Sequence, residues 1–337
     1  MTVNEVSAKD AKKAEQKRLL RRYLSRNGTQ LGIIGVFALV WLFFILFAPN
    51  TFLSSQIYAA FMATVPFFGI IALPLTMVII AGEMDLSFPA IMAISMVAFI
   101  FVFELFGSVL LALIGALLMG VIAGLLNGAL VVWIGIPSLV VTIGTQFFWR
   151  GASLVIRNGT GFSLVAARDS VIYKLLVGKT FGYIPNQFIW MVIAGITSWL
   201  ILNRTRLGAH IYLIGDNEKS AELMGVNTRF TRVMVFVIVG VASAFAGVLA
   251  SLHVSYFWPS LGDGYLLETL AAVFLGGTSV FGGVGTILGT FLGSYIIGAI
   301  EAAIVAIGLT GFWTQLIYGL IIIVSVSLHA VLRKRMK

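Results

Sequence analysis

The sequence predicts an all-α, polytopic membrane protein with about ten transmembrane helices. Of its 337 residues, 60% are hydrophobic and only 10% are charged, and the mean hydropathy is +1.04. A soluble domain has roughly 25% charged residues, whereas an apolar run of ~20 residues crosses a bilayer as a helix. The apolar residues occur in long runs and not in alternating strands of ~10 residues, which excludes a transmembrane β-barrel.

Proline and glycine interrupt two of the apolar runs. Pro66 and Pro74 lie inside the second run, and Gly276 and Gly277 end the eighth before it reaches full length. Because these residues break or end helices, we expect broken or re-entrant segments at both places. The ten predicted spans cover residues 31–48, 56–81, 86–103, 107–134, 137–156, 187–203, 232–254, 266–281, 284–308 and 312–331.

The positive charge is concentrated in three places. Of the 22 Lys and Arg residues, eight lie within 1–30, five within 204–232 and four within 333–337, and the net charge is +9. Because Lys and Arg mark the cytoplasmic ends of spans, both termini and the loop around 204–231 are predicted to be cytoplasmic. The remaining five basic residues oppose this orientation, but long loops obey the charge rule weakly. The distribution indicates a membrane surface as the partner of the charge, not nucleic acid.

These features divide the chain into three parts. A basic cytoplasmic N-terminal arm at residues 1–30 precedes one membrane domain at 31–331, and a basic cytoplasmic tail follows at 332–337. The first span is expected to be retained, because no small-x-small cleavage site follows it. The membrane domain carries the cytoplasmic loop 204–231 and an external loop 157–186.

Nothing in the sequence predicts a catalytic, metal or cofactor site. The chain has no cysteine and three histidines that lie far apart in sequence. This composition excludes structural disulfides, thiolate metal ligands and cysteine catalysis. A membrane-embedded enzyme would need a clustered nucleophile, metal set or acid–base pair. We therefore expect no catalytic residues, no metal and no cofactor.

Small residues recur at four-residue spacing in the apolar runs. Gly120, Gly124 and Gly128 share one predicted helix face. Small side chains let two helix backbones approach closely within a membrane, so this face predicts a close helix–helix contact.

Two breaks in the apolar pattern resemble each other. Residues 78–87 (VIIAGEMDLS) and 273–282 (VFLGGTSVFG) are 195 positions apart, and in each an apolar run ends at glycine and polar residues follow. Broken spans at corresponding positions of two halves point to a transport site, so the chain is predicted to contain two pseudo-repeat halves. Asp85 is expected to cap the helix that starts just after it. The candidate helix-break and gating residues are Gly82, Asp85, Ser87, Gly276, Gly277, Thr278 and Ser279.

The charged loop 204–231 contains a short helix-compatible stretch at 218–224. Asn217 suits an N-cap, Gly225 suits the position after a helix C-terminus, and Glu218 complements the helix dipole. The stretch offers a small apolar face, of Ala221, Met224 and the adjoining Leu223. It therefore predicts a helix that a partner protein can bind, with a plain solvated loop as the alternative. The candidate partner-binding residues are Asn217, Glu218, Ser220, Ala221, Glu222, Leu223, Met224 and Gly225.

This loop resembles the coupling loop of bacterial ABC-importer permeases for monosaccharides, the ribose/xylose/galactose type. Residues 215–226 (GDNEKSAELMGV) are similar to the family's Gly-x-Asn-x-x-Ala-Ala-x-x-x-Gly-Ile. Residues 82–87 (GEMDLS) are similar to its Gly-Gly-Ile-Asp-Leu-Ser, and residues 270–283 (LAAVFLGGTSVFGG) to its Ala-Ala-Val-x-Leu-Gly-Gly-Thr-Ser-x-x-Gly-Gly. The three motifs come in the family's order. The chain departs from the patterns at Glu83 and Met84, where the family has Gly and Ile, and at Ser220, where Ala is usual.

The resemblance implies the permease subunit of an ABC importer, a multi-pass protein of the bacterial inner (plasma) membrane. Two permease subunits, identical or homologous, would form the pathway, and an ATP-binding cassette subunit would bind the coupling helix of each. An external binding protein would deliver a monosaccharide or related small polyol. The chain has no Gly-x-x-x-x-Gly-Lys-Ser/Thr phosphate loop, which fits ATP hydrolysis in a separate subunit and a permease that is not itself an enzyme.

The substrate pathway is predicted from residue type alone. Sugars bind to aromatic faces and a few polar groups in apolar cavities, although each such residue can instead be packed or face lipid. Glu301 is the only acidic residue well inside a predicted span. An ion-coupled secondary transporter of a small solute, which would need acids or unwound polar backbone deep in the membrane, is the alternative function. The candidate pathway residues are Asn127, Gln146, Phe147, Trp149 and Tyr295.

Overall fold

The computed structural model describes residues 32–336, which form a bundle of α-helices. The predicted basic arm at 1–30 lies outside the described residues. The last helix continues to Met336, so the backbone shows no boundary where the tail 332–337 is predicted to begin. The helices are α1 Gly32–Phe47, α2 Pro49–Phe52, α3 Ser55–Thr64, α4 Pro66–Ile80, α5 Phe88–Phe106, α6 Val109–Ala129, α7 Ser138–Arg157, α8 Val171–Val177, α9 Asn186–Arg204, α10 Arg206–Leu223, α11 Thr228–Val254, α12 Tyr265–Leu275, α13 Ile287–Ala306 and α14 Phe312–Met336.

Short elements fasten the connections between the long helices. A π-helical turn at Leu130–Ile134 extends α6, and a 3-10 turn at Val165–Ala167 precedes α8. The first strand pair ties the connection between α7 and α8 to the end of α11. The strands pair antiparallel, β1 Phe162–Ser163 with β4 Tyr256–Phe257 and β2 Lys179–Thr180 with β3 Ile184–Pro185.

Six helices of the described chain are long and apolar enough to cross a membrane: α5, α6 with its π turn, α7, α9, α11 and α13. Helices α3 and α4 form a pair bent by 55°, which counts as a seventh crossing if taken together. The bend lies at Pro66, where a break is predicted. The predicted interruption at Pro74 is wrong, because this residue lies inside a continuous α4. All residues of α4 are buried, and enclosure by neighbouring helices lets a membrane helix tolerate proline.

The predicted number of ten spans is not confirmed. Helix α12 has only 11 residues, and this is about 16 Å of helix against a hydrocarbon core of about 30 Å. The described parts of α1, Gly32–Phe47, and of the apolar stretch of α14, Phe312–Leu328, also have fewer than 18 residues. Each predicted apolar run contains a helix, but the described helices support six or seven full crossings.

Helix α11 packs against α4, α5 and α6. Its contact with α6 uses the predicted glycine face. A Cβ on Gly120 would overlap the carbonyl group of Gly240, and one on Gly124 would overlap the carbonyl group of Phe236. The two backbones touch because these positions have no side chain. The predicted close contact is confirmed.

Basic residues near the C-terminal end of α11 form contacts within the chain. Arg150 donates to the carbonyl of Pro259 and pairs with Asp263. Arg168 Nε donates to Ser255 Oγ at 2.8 Å. Charge-assisted bonds of this kind fix loops in place, so these two arginines have structural partners within the chain.

Candidate functional site

The first break in the bundle follows α4. The amide of Gly82 donates to the carbonyl of Ile79 at 3.0 Å. The amide of Glu83 donates to the carbonyl of Val78, also at 3.0 Å. This Schellman pattern needs a residue of positive φ just after the helix, and Gly82 supplies it with a φ of +84°. The chain then leaves helical geometry until α5 begins at Phe88.

The second break follows α12 and repeats the same cap. The amide of Gly277 donates to the carbonyl of Phe274 at 3.0 Å. The amide of Thr278 donates to the carbonyl of Val273 at 3.3 Å, and Gly277 has a φ of +85°. Gly277 lies 195 positions after Gly82, so the offset found in the sequence relates two breaks with equivalent backbone caps.

The loop after the second break is tightly closed. The amide of Ser279 donates to the carbonyl of Val284 at 2.9 Å, and the side chain of Thr278 is fully buried. A Cβ on Gly276 would lie within 3 Å of the backbone of Gly289. The glycine therefore lets the end of α12 lie directly on the start of α13.

A buried chain of hydrogen bonds holds the first break against α6 and α7. Asp85, which is 1% exposed, accepts from the amide and the hydroxyl of Ser87 at 2.8 and 2.6 Å. Asn127 Nδ2 donates to Ser87 Oγ at 2.7 Å, and Thr145 Oγ1 donates to Asn127 Oδ1 at 2.7 Å. The N-cap of α5 is Ser87 itself. The prediction that Asp85 caps this helix is wrong in its target, because the carboxylate binds Ser87 one residue before the helix starts.

The two breaks and the charged loop meet at one end of the bundle. The amide of Gly283 donates to the carbonyl of Ile80 at 2.8 Å. Gly215 packs against both residues so closely that a Cβ would overlap the Ile80 carbonyl. The hydroxyl of Tyr212 donates to the carbonyl of Gly285 at 2.9 Å. We call residues 80–87, 212–218 and 276–286 the junction.

A short helix projects from the junction and is capped at both ends. Asn217 is non-helical and divides α10, with φ −158° and ψ 104°. Its Oδ1 accepts from the amide of Ser220 at 2.9 Å, which is the expected N-cap bond. Gly225 has a φ of +80° and its amide donates to the carbonyl of Glu222 at 2.9 Å. We call residues 218–224 the loop helix.

The exposed apolar face of the loop helix differs from the predicted one. Leu223 is 90% exposed and Met224 is 62% exposed, but Ala221 is fully buried. The prediction that Ala221 belongs to the exposed face is wrong, because its side chain faces the rest of the chain. Two large apolar side chains side by side on a charged loop suit contact with another protein.

One arginine joins the loop helix to the first break. Arg232, in the second turn of α11, contacts Glu83 Oε1 through Nε and Nη2. Its Nη1 donates to Glu218 Oε1 at 2.9 Å. Sequence reasoning used Arg232 only in the charge count. The signal for this contact is Glu83, an acidic residue where the resembled motif has glycine.

A cavity with a mostly apolar lining and a few polar groups lies at the other ends of α4, α11, α12 and α13. Its volume is about 680 Å³, which is within the range of small-molecule sites. The ring of Phe67 lies 5.5 Å from that of His253 and 6.4 Å from that of Tyr265. Glu268 and Glu301 add two carboxyl groups to the lining, and no Lys or Arg of the described chain lines it. We call this cavity the vestibule.

The vestibule and the junction are at opposite ends of α11. His253 follows Arg232 by 21 residues on this helix, which corresponds to about 31 Å along the helix axis. Helices α4, α12 and α13 also have one end at the vestibule and the other at the junction. Four helices therefore connect the two regions.

The structure does not bring the predicted pathway residues together. Asn127 belongs to the buried chain at the first break, while Phe147 on α7 is 72% exposed on the outside of the bundle. Tyr295 packs against Phe188 and Phe291. Gln146 and Trp149 lie on α7, and none of the five lines the vestibule. Sequence reasoning missed the vestibule, for which a lone acid within a span, Glu301, is the only signal.

A helical membrane bundle whose charged loop contacts two glycine-capped breaks defines a multi-pass membrane transport protein. Residues 57–326 match the family described as "Branched-chain amino acid transport system / permease component". The chain therefore belongs to this family of permease components.

Curated relatives extend over almost the whole chain. It is 33% identical over 321 residues to the ribose import permease protein RbsC of Bacillus subtilis, which covers 94% of this chain and 98% of the relative. It is 32% identical to the inner membrane ABC transporter permease protein YjfF of Escherichia coli, over 91% of this chain and 93% of the relative. It is 33% identical to the autoinducer 2 import system permease protein LsrD of Salmonella typhi, over 77% of this chain and 81% of the relative. No solved structure matches the chain. The predicted resemblance to monosaccharide ABC-importer permeases is confirmed.

Proposed function

We propose that this chain is the permease subunit of an ABC importer that moves a monosaccharide or related small polyol across the bacterial inner (plasma) membrane. The loop helix carries the proposal. It is capped at both ends, exposes Leu223 and Met224, and belongs to the loop that contacts both breaks. A partner that binds this helix differently in two states can shift both breaks together.

The proposed partner at the loop helix is an ATP-binding cassette subunit, in which ATP is bound and hydrolysed. Its contact residues are Asn217 through Gly225, except that Ala221 supports the helix from inside. A second permease subunit, identical or homologous, completes the pathway, and lipid surrounds the remaining apolar surface. An external binding protein delivers the substrate. The relatives' names, which describe ABC and import-system permeases, support this assembly.

The termini and the loop 204–231 are proposed to be cytoplasmic, with the vestibule and the loop 157–186 external. The concentration of Lys and Arg in the former regions supports this orientation. The permease domain is residues 31–331, between the arm at 1–30 and the tail at 332–337. It comprises two pseudo-repeat halves and about ten spans, among which α12 is a half-span.

The lining of the vestibule suits a neutral polyol. Carboxyl groups such as those of Glu268 and Glu301 form hydrogen bonds with hydroxyl groups, and Phe67 and Tyr265 offer aromatic surface. The relatives named for ribose and autoinducer 2 agree with this preference.

The gating role is assigned to Gly82, Asp85, Ser87 and the second break. Asn127 is assigned to holding the first break.

A reconstitution experiment tests the proposal. The chain is purified in mild detergent with its co-purifying proteins, placed in liposomes with the external binding protein, and supplied with labelled D-ribose, D-xylose, D-galactose, myo-inositol or L-leucine. We expect an ATP-binding cassette subunit to co-purify, and one of the polyols to accumulate with ATP while ionophores abolish ion gradients. Uptake that needs no ATPase and stops with the ionophores would establish the ion-coupled alternative. Uptake of leucine alone would overturn the substrate class.

Single cysteines test the orientation. The chain has no cysteine, so an introduced one is its only thiol. Thr64→Cys at the vestibule is expected to react with a membrane-impermeant maleimide added to intact cells. Lys219→Cys on the loop helix is expected to react only after the membrane is permeabilised. The reverse pattern would refute the orientation.

A further inference from the structure

We propose that Arg232 is a positioning residue that transmits movement of the loop helix to the first helix break. The inference rests on the proposed function, in which the loop helix binds the ATPase. Arg232 holds Glu218 of the loop helix and Glu83 of the break at the same time, with one guanidinium group shared between two carboxylates. Of the contacts described between the loop and the break, these are the ones made by charged side chains.

The two halves of this ion triad differ in exposure. The side chain of Glu83 is 8% exposed, that of Arg232 is 22% exposed and that of Glu218 is 43% exposed. Water screens the Arg232–Glu218 pair, and such exposed pairs break at little cost. Separating Arg232 from Glu83 would leave a charge in a poorly solvated place. Arg232 therefore stays with the break, and the bond to Glu218 is the one that forms and breaks.

The first break is placed so that a movement of Glu83 affects several helices. Glu83 is the first residue after Gly82, and residues 83–87 belong to no helix or strand. Asp85 and Ser87 in that stretch hold Asn127 of α6, which holds Thr145 of α7. A displacement of Glu83 thus reaches the start of α5 and two further helices. The backbone contacts at Gly215 give the loop a fixed pivot on the break, and the triad adds a contact that can change between two states.

The sequence indicates that the triad is a feature of this chain and not of the resembled motif. The motif has glycine where this chain has Glu83, and glycine cannot bind Arg232. In this chain the triad adds to the backbone contacts at the junction, and it adjusts how tightly ATP hydrolysis and transport are linked.

The test measures polyol transported per ATP hydrolysed by the complete complex in liposomes, using the polyol that wild type imports in the panel above. Glu218→Gln removes the exposed carboxylate, and we expect the ratio to fall roughly two- to fivefold, the range for an exposed ion pair. ATPase co-purification is measured in parallel, so that a lower ratio at equal ATPase content reports coupling and not docking. Asp216→Asn is the matched control, because it removes a carboxylate from the same loop for which the structure shows no ion pair with Arg232. It should leave the ratio unchanged.

A second variant separates positioning from folding. Arg232→Gln leaves Glu83 without its cation and can lower the yield, whereas Glu83→Gln/Arg232→Gln removes both charges and should restore it. In that background Glu218→Gln should have no further effect, since residues in one network do not act additively. Arg232→Lys keeps the charge without the planar fork and should recover part of the ratio.

Equal ratios for Glu218→Gln, Asp216→Asn and wild type would overturn the role of Arg232 while leaving the importer intact. A further loss from Glu218→Gln in the double-variant background would also overturn it. Failure of the proposed function gives a different result, because the wild type would then retain no ATPase and show no ATP-dependent uptake.

Discussion

The junction and the vestibule, about 31 Å apart along α11, are built in different ways. At the junction the closest contacts between segments are made by backbone atoms: the Gly283 amide donates to the Ile80 carbonyl, and Gly215 lies where no side chain fits. At the vestibule, side chains from several helices line a cavity. Backbone contacts demand glycine and tight turns at fixed spacing, whereas a side-chain cavity can be lined in many ways. The junction therefore leaves a motif in the sequence and the vestibule does not.

This difference suits a division of labour. The junction, with its loop helix and two breaks, has the features that define the class of transporter. In the proposed function, the two carboxyl groups and the aromatic rings of the vestibule select what is carried. Substitutions at the vestibule should then change transport without changing the docking of the ATPase. Substitutions of the exposed side chains of the loop helix should change both.

The largest effect is expected from Glu268→Gln/Glu301→Gln in the vestibule. A hydrogen bond to a carboxyl group contributes about 0.5–1.5 kcal/mol, so uptake of the imported polyol should fall roughly two- to tenfold for each carboxyl group lost and by up to about 100-fold for both. ATPase co-purification should not change. Glu104→Gln is the control, because Glu104 is an exposed acid paired with Arg157 at 3.7 Å. Equal uptake by the double variant and the control would remove the vestibule from the pathway.

At the junction, the largest effect is expected from Leu223→Asp. Burying a leucine side chain is worth about 1.5–3 kcal/mol, so its loss should weaken ATPase association about 10- to 100-fold. Titration of the purified permease with its ATPase gives this value. Val171→Asp on α8 places the same charge on a side chain that is 78% exposed outside the junction, and it should bind the ATPase normally. Similar binding by both variants would exclude the loop helix as the docking site.

A smaller but more widespread effect is expected from Gly215→Ala. The added methyl group would overlap the Ile80 carbonyl and the Gly283 amide, and overpacking of this kind costs about 1–3 kcal/mol. The thermal unfolding midpoint in detergent should fall, and uptake should fall with it. Gly319→Ala on α14 is the matched control, because a Cβ there has no heavy atom within 4 Å. An unchanged midpoint for Gly215→Ala would show that the loop does not rest on the break in solution.

What the sequence predicts about this protein follows the same division. Gly82 and Gly277 are predictable because a helix that ends in a Schellman cap needs positive φ, and Asn217 because an N-cap needs a short polar side chain. Ala221 is assigned to the wrong face because a seven-residue helix has too few turns to show which side is buried. Pro74 is misjudged because burial among other helices, which local sequence does not show, lets α4 continue through it.

The vestibule and the ion triad could not be predicted for a further reason. His253, Tyr265 and Glu301 come from three helices, and Arg232 meets Glu83 across 149 positions. Such contacts depend on how helices pack, and periodicity within one helix does not encode its neighbours. The deviation of Glu83 from the resembled motif shows that the position is unusual, but the sequence does not name the partner.

The smallest effect expected at the junction concerns the cap of the loop helix. Asn217→Ala removes the side-chain bond to the Ser220 amide, and the loss of an N-cap costs about 1 kcal/mol. ATPase association should weaken about fivefold at most, because the exposed Leu223 and Met224 remain available once the helix forms. Asn217→Asp can accept the same bond and should bind like wild type. If alanine and aspartate weaken binding equally, Asn217 contacts the ATPase directly. If neither weakens it, contacts at the junction hold the loop helix in shape without its cap.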